Sequence, residues 1–170
     1  MPSIRRCGLP DKALLCKYLY AGAYTDCYVT ELARPVSLAE YVEAFYTTAV
    51  FKLERLILRL LAARPSTDAQ AAELAGGSLD TFAAWTVEGR APGQLLLSDF
   101  SGRTRTWLMV AAPSNPDSTG TRLFLGSAVV PTRNPMTGRS SLGFEFRALL
   151  GFHKLYSRVL LGAARSRLSR

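Results

Sequence analysis

Residues 140–170 read SSLGFEFRALLGFHKLYSRVLLGAARSRLSR, the longest uninterrupted helical pattern in the chain, and they hold its only histidine. On a helical wheel Arg147, Gly151, Lys154, Arg158 and Arg165 fall on one narrow stripe. Leu142, Phe146, Leu149, His153, Tyr156 and Leu160 fall on the opposite side. The pattern predicts a carboxyl-terminal helix laid on a core, with Ser140 or Ser141 as its cap. Glu145 projects with Leu149, Phe152 and Tyr156 rather than with the arginines. A carboxylate and an imidazole are therefore both expected to face inward.

Upstream of that helix the periodicity is that of strands. Thr81 to Glu88, Gln94 to Phe100, Thr104 to Ala111 and Thr121 to Val130 read as four strands separated by turn-forming stretches. Short connections between consecutive strands imply an antiparallel meander. The alternation within these strands is poor, so both faces of the sheet are expected to be covered. The last helix would cover one. The middle helices, the amino-terminal arm or a second copy of the chain would cover the other, and a homodimer through that face is the expectation. The side of the strand that carries Arg103, Arg105, Trp107 and Met109 reads as a solvent edge.

Between residues 24 and 80, Tyr24 to Glu31 alternates like a first strand. Ser37-Leu38-Ala39-Glu40 is a capping box, and the apolar pattern after it runs to Arg64-Pro65 as one bent helix or two, because Tyr46-Thr47-Thr48 weakens the middle. Ser66-Thr67-Asp68 caps a further helix that stops at Gly76-Gly77. Residues 1–22 are expected to form an irregular, loosely packed arm with a helical turn near Lys12 to Tyr18. Residues 23–170 form a single α+β domain, an antiparallel sheet packed around a long carboxyl-terminal helix.

The chain has 170 residues and a net charge of +8, and residues 132–170 account for +7 of it. A basic helix suits an anionic membrane surface or an acidic partner through Coulomb attraction. Aromatic side chains do not interleave with the cations, which argues against a platform for stacking single strands, and nucleic acid is not the expected partner. No apolar run approaches the ~18 residues of a membrane span, and no secretory apolar core follows Arg5 and Arg6, so the chain reads as cytoplasmic. Cys7, Cys16 and Cys27 lack metal-ligand spacing and are read as free thiols.

The order of strand, helices, meander and long last helix resembles the helix-grip fold of the START and pollen-allergen superfamily (SRPBCC). Tyr24-Thr25-Asp26, Arg133-Asn134 with Gly138-Arg139, and Gly151-Phe152-His153-Lys154-Leu155 resemble a bacterial family of unknown function. That family opens on a Y-A-D-like stretch and closes on H-N-x-x-G-R and P-F-H-R-L. Here Arg133 stands for the histidine, one residue is added before Gly138, and Gly151 replaces the proline. The resemblance implies a fold and no activity.

No dinucleotide fingerprint, phosphate loop, nucleophile elbow or zinc spacing is present, so no cofactor, metal or catalytic residue is assigned. The expected function is binding of a small hydrophobic ligand between sheet and last helix. Glu145, Phe146, Leu149, His153, Tyr156, Trp85 and Trp107 are the candidate ligand-binding residues. The alternatives are a cyclase or isomerase with His153 or Glu145 as acid or base, and a peripheral protein that uses the basic helix on a membrane or partner.

Overall fold

The computed structural model describes residues 3–63, 65–115, 117–133, 140–141 and 144–170; the side chains of residues 58, 61–62, 132–133, 140–141 and 144–149 are outside that description. In chain order the elements are β1 (Arg5–Arg6), α1 (Cys16–Tyr20), β2 (Tyr24–Leu32), α2 (Leu38–Tyr46), α3 (Ala49–Ala62), α4 (Asp68–Gly76), β3 (Thr81–Phe82), β4 (Trp85–Ala91), β5 (Gln94–Asp99), β6 (Thr104–Ala111), β7 (Thr121–Val129), β8 (Thr132–Arg133), β9 (Ser140–Ser141) and α5 (Phe144–Leu168). Seven of the strands form one antiparallel open sheet in the order β1-β2-β7-β6-β5-β4-β3, and α5 packs against it. Strands β8 and β9 pair separately, so the carboxyl-terminal helix begins at Phe144 and not at the serines.

The first long strand, β2, closes the meander from its far end. It pairs with β7 along its whole length, from Tyr24 opposite Val129 to Leu32 opposite Thr121. Alternation then divides its side chains: Asp26, Tyr28, Thr30 and Leu32 face the helices, while Cys27 and Val29 face the other way. Where the sequence reads as one strand from Thr81 to Glu88, the chain makes two. Ala83 takes a left-handed φ of 52° between them, and β4 continues to Ala91 before the Pro92-Gly93 turn. The register slips between Val87 and Gly89, leaving Glu88 as the extra residue of a bulge.

The middle helical pattern divides at the two threonines. Thr47 Oγ1 donates back to the Glu43 carbonyl and Thr48 Oγ1 to that of Phe45, which ends α2. Thr48 Oγ1 then accepts from the Phe51 amide at the start of α3. The boxes that begin α2 and α4 are both formed, Ser37 with Glu40 and Thr67 with Gln70, and Gly77 ends α4 in the left-handed region at φ 84°. Tyr41, Phe45, Tyr46, Leu74, Leu95, Leu97, Leu108, Leu123 and Leu161 make the main core between these helices and the sheet.

Residues 3–22 cover the opposite face, and they do so tightly. Leu15 is fully buried, and it packs with Cys16, Cys27, Leu96, Trp107, Phe124 and Ala128. Gln94 clamps this layer: Oε1 accepts from the Leu14 amide and from the Trp107 indole, both at 2.9 Å, and Nε2 donates to the Lys12 carbonyl at 3.0 Å. The bulged Glu88 carboxylate receives Tyr18 OH at 2.5 Å and Arg105 Nε at 2.5 Å and pairs with Lys17. The expectations of a loose arm and of a solvent edge at Trp107 are both corrected here. A period-2 pattern shows that a face is apolar but not what lies over it, and the cover is a short helix placed later than expected, at Cys16–Tyr20. Cys7 and Cys27 face each other within this layer, their sulfur atoms 3.3 Å apart and unbridged.

Candidate functional site

The helix-covered face, which holds the main core, is unfilled in one place. A cavity of about 300 Å3 lies between the sheet, α3 and α5. Strands β4, β5, β6 and β7 supply Trp85, Asp99, Thr104, Thr106, Leu125 and Ser127; α2 supplies Phe45 and α3 supplies Phe51 and Glu54; α5 supplies His153, Tyr156, Ser157 and Leu160; and the β5–β6 turn supplies Phe100. Because α5 repeats every 3.6 residues, His153, Tyr156, Ser157 and Leu160 share one face over the sheet. The rest of its buried stripe, Leu161, Ala164 and Leu168, is held in the core. The helix end is fixed by Arg34, whose Nε donates to the Leu168 carbonyl at 2.9 Å, and by Arg165, whose Nε donates to that of Glu31 at 3.2 Å.

Asp26 stands behind one wall of the cavity, with only 1% of its side chain exposed. Its carboxylate collects donors from three elements: Ser127 Oγ to Oδ1 at 2.5 Å, Tyr24 OH to Oδ2 at 3.1 Å, and His153 Nε2 at 3.3 Å from Oδ2. Burial raises the carboxyl's pKa, but the hydrogen bonds from His153, Ser127 and Tyr24 outweigh it and hold Asp26 below its ordinary value. The charge is therefore retained in the interior because it is fully solvated by donors.

Ser127, His153 and Asp26 are the residue types of a nucleophilic triad, but their connections differ. In a triad the imidazole takes the serine proton on one nitrogen while the acid holds the other. Here the serine hydroxyl gives its proton to Asp26, and His153 Nε2, 2.8 Å from Ser127 Oγ, lies toward both oxygens. With the Ser127 proton committed, His153 Nε2–H is the donor in that contact, and Ser127 is not activated. The arrangement orients the imidazole at the cavity wall.

On the α3 side, Tyr156 OH donates to Glu54 Oε2 across the gap between α3 and α5. Burial lifts the Glu54 carboxyl above its ordinary value, and the tyrosine bond only partly counters this. The same burial, next to the Glu54 carboxylate, raises the Tyr156 phenol. Trp85 is half-buried at the cavity, and its indole Nε1 is enclosed without a hydrogen-bond partner among the described residues.

Of the residues singled out in the sequence, the fold brings His153, Tyr156 and Trp85 together on this cavity. Trp107 is not with them. It projects from β6 to the opposite face, where residues 3–22 seal it at 0% exposure, because odd-numbered and even-numbered positions of that strand point apart. The side chains of Glu145, Phe146 and Leu149 lie outside the described residues. Sequence reasoning missed Asp26, Ser127 and Glu54. Asp26 had a signal, a carboxylate at an inward position of an otherwise apolar alternating strand; Ser127 and Glu54 had none.

Comparison with protein-family models, with curated proteins and with solved structures finds no match to this chain. Among the described residues there is no group of three or more His, Cys, Asp or Glu that could hold a metal ion, and no helix is long and apolar enough to cross a membrane.

Proposed function

We propose that the protein binds a small, largely apolar molecule carrying at least one polar group in the cavity between the sheet, α3 and α5, in an arrangement compatible with a helix grip. The observation that carries this reading is the mixed lining of the cavity. Phe45, Phe51, Leu125, Leu160 and the Trp85 ring offer apolar surface, while His153, Tyr156 and Ser157 of α5, Glu54 of α3 and Thr104, Thr106 and Ser127 of the sheet offer polar groups. Ligand sites are built in this way, with few polar groups on a mostly apolar surface, and ~300 Å3 is the small end of their usual range. The Trp85 indole N–H is enclosed beside this cavity and has no hydrogen-bond partner among the described residues, a cost of about 1–3 kcal/mol.

Native mass spectrometry of the purified protein tests the proposal, with an added mass of a copurified small molecule as the expected result. Thr106→Phe, which fills the cavity from β6, should remove it. A protein that carries no added mass and takes up no apolar fluorescent probe in a manner sensitive to Thr106→Phe would sink the reading.

One observation favours proton transfer on the bound molecule as a second reading: the ionised Asp26 fixes the ring of His153 at the cavity wall. His153→Gln should then abolish turnover of the identified ligand while its binding persists; unchanged turnover removes the imidazole from any such role.

A further inference from the structure

The outer surface of the same two helices has a chemistry that the cavity does not explain. Leu53, Leu56, Ile57 and Leu60 of α3 are 58, 48, 48 and 71% exposed, and Phe152, Leu155 and Val159 of α5 are 65, 61 and 44% exposed. Spacings of three and four residues put each set on a single stripe. The stripes adjoin, because the Tyr156–Glu54 hydrogen bond joins the helices, with Glu54 next to Leu53 and Tyr156 next to Leu155. Seven large apolar side chains gathered on one surface mark an interaction site.

The charges around the surface say what it meets. Lys154 and Arg158 immediately precede Leu155 and Val159 and so flank them on the helix. Arg158 rests over the Tyr28 ring at 5.5 Å yet stays exposed. From residue 150 to the end the sequence has Lys154, Arg158, Arg165, Arg167 and Arg170 and no Asp or Glu. On α3, Arg59 is exposed, and the helix's one acid, Glu54, is turned inward to Tyr156. Two acids lie near the stripes, Asp68, paired to Lys52 and Arg55 of α3, and Glu145, which the wheel puts with Phe152, and the cations outnumber them. An apolar stripe with such a basic border is the pattern of a helix that lies in a lipid interface. A second copy of the chain suits it poorly, since a two-fold contact would bring the same cations face to face.

We propose that the joined outer faces of α3 and α5 dock onto an anionic lipid bilayer, the apolar stripes entering the headgroup boundary and Lys154, Arg158 and Arg59 meeting lipid phosphates and carboxylates. The proposal is independent of what occupies the cavity.

Vesicle flotation tests it, with phosphatidylcholine alone and with added phosphatidylserine, at low and high salt. Binding is expected on the phosphatidylserine vesicles, weakened by salt, and at least tenfold weaker on phosphatidylcholine. Leu60→Glu and Phe152→Glu should each cut it about tenfold with circular dichroism unchanged, and Leu60→Gln serves if the glutamate disturbs folding. Lys154→Gln and Arg158→Gln should lower it about fivefold each, as expected for basic residues near such a surface. Absence of binding to phosphatidylserine vesicles, binding indifferent to the stripe substitutions, or a non-binding dimer that Leu60→Gln dissociates would each overturn it.

Discussion

The two faces of the sheet are made by alternate residues of the same strands, and their fates diverge. On the face under residues 3–22, Trp107, Leu96, Cys27 and Phe124 interlock with Leu15, and even a glycine is in demand: a Cβ on Gly126 would lie 2.8 Å from Trp107 and 2.9 Å from Leu15. Its polar groups are consumed internally, Gln94 by three partners and Glu88 by Lys17, Tyr18 and Arg105. On the face under the helices there is instead an unfilled volume, a buried carboxylate held by three donors, a second carboxyl raised by burial and an indole N–H without a partner among the described residues. One surface is packed for stability. The other holds the larger apolar core and also carries costs that packing alone does not account for, which is why the proposed ligand site is there.

The two tryptophans give the sharpest contrast. Trp107→Ala removes a fully buried ring from a layer that cannot collapse and strips Gln94 of a partner, so a loss of about 3–5 kcal/mol is expected. Trp85→Ala removes a half-buried ring that already borders a void, and it also removes the unpaired indole N–H; well under half that loss is expected. Urea denaturation of both variants makes the comparison. Equal losses would mean that the helix-covered face is packed as tightly as its counterpart.

Next in size is Asp26→Asn, which leaves the Tyr24, Ser127 and His153 donors facing an amide. About 3 kcal/mol should be lost at neutral pH. Because the folded-state pKa of Asp26 lies below its unfolded value near 3.9, its contribution is present above that value and is lost as pH falls through the folded one. The gap between wild type and Asp26→Asn should therefore narrow in acid. A gap that is as wide at pH 3 as at pH 7 would show that the carboxylate's charge is not what holds the three elements together.

Local chemistry explains which parts of this structure were legible beforehand. Caps and strand periods act over a few residues, so the Ser37 box, the stop at Gly76-Gly77, the meander and the inward turn of His153 and Tyr156 could all be read from neighbours in the chain. The cover over Trp107 could not, because Leu15 reaches it across 92 positions and residues 1–22 lack any period. Asp26 meets Ser127 and His153 only once β2 has paired with β7 and α5 has crossed both. That convergence joins Tyr24-Thr25-Asp26 with Phe152-His153, two stretches that had stood out separately by resemblance. Glu54 reads as one more charge on an amphipathic helix until Tyr156 is seen opposite it.

The smallest expected effect has the opposite sign. Burial keeps the folded-state pKa of Glu54 above its unfolded value, so the stability associated with this group is complete below the unfolded pKa, near 4.3, and declines as pH rises through the folded one. Gln at this position cannot ionise and still offers Tyr156 an acceptor. Glu54→Gln should thus stabilise the protein at pH 7 by up to about 1 kcal/mol, roughly 2–4 °C in Tm for a chain of this size, and should match wild type near pH 4. Thermal melts at the two pH values read the difference directly, and a destabilised variant at pH 7 would refute the assignment. If the same substitution strengthens the fold while weakening ligand uptake, then the acid is retained at the helix-covered face for the ligand, a relation that no side chain on the sealed face should reproduce.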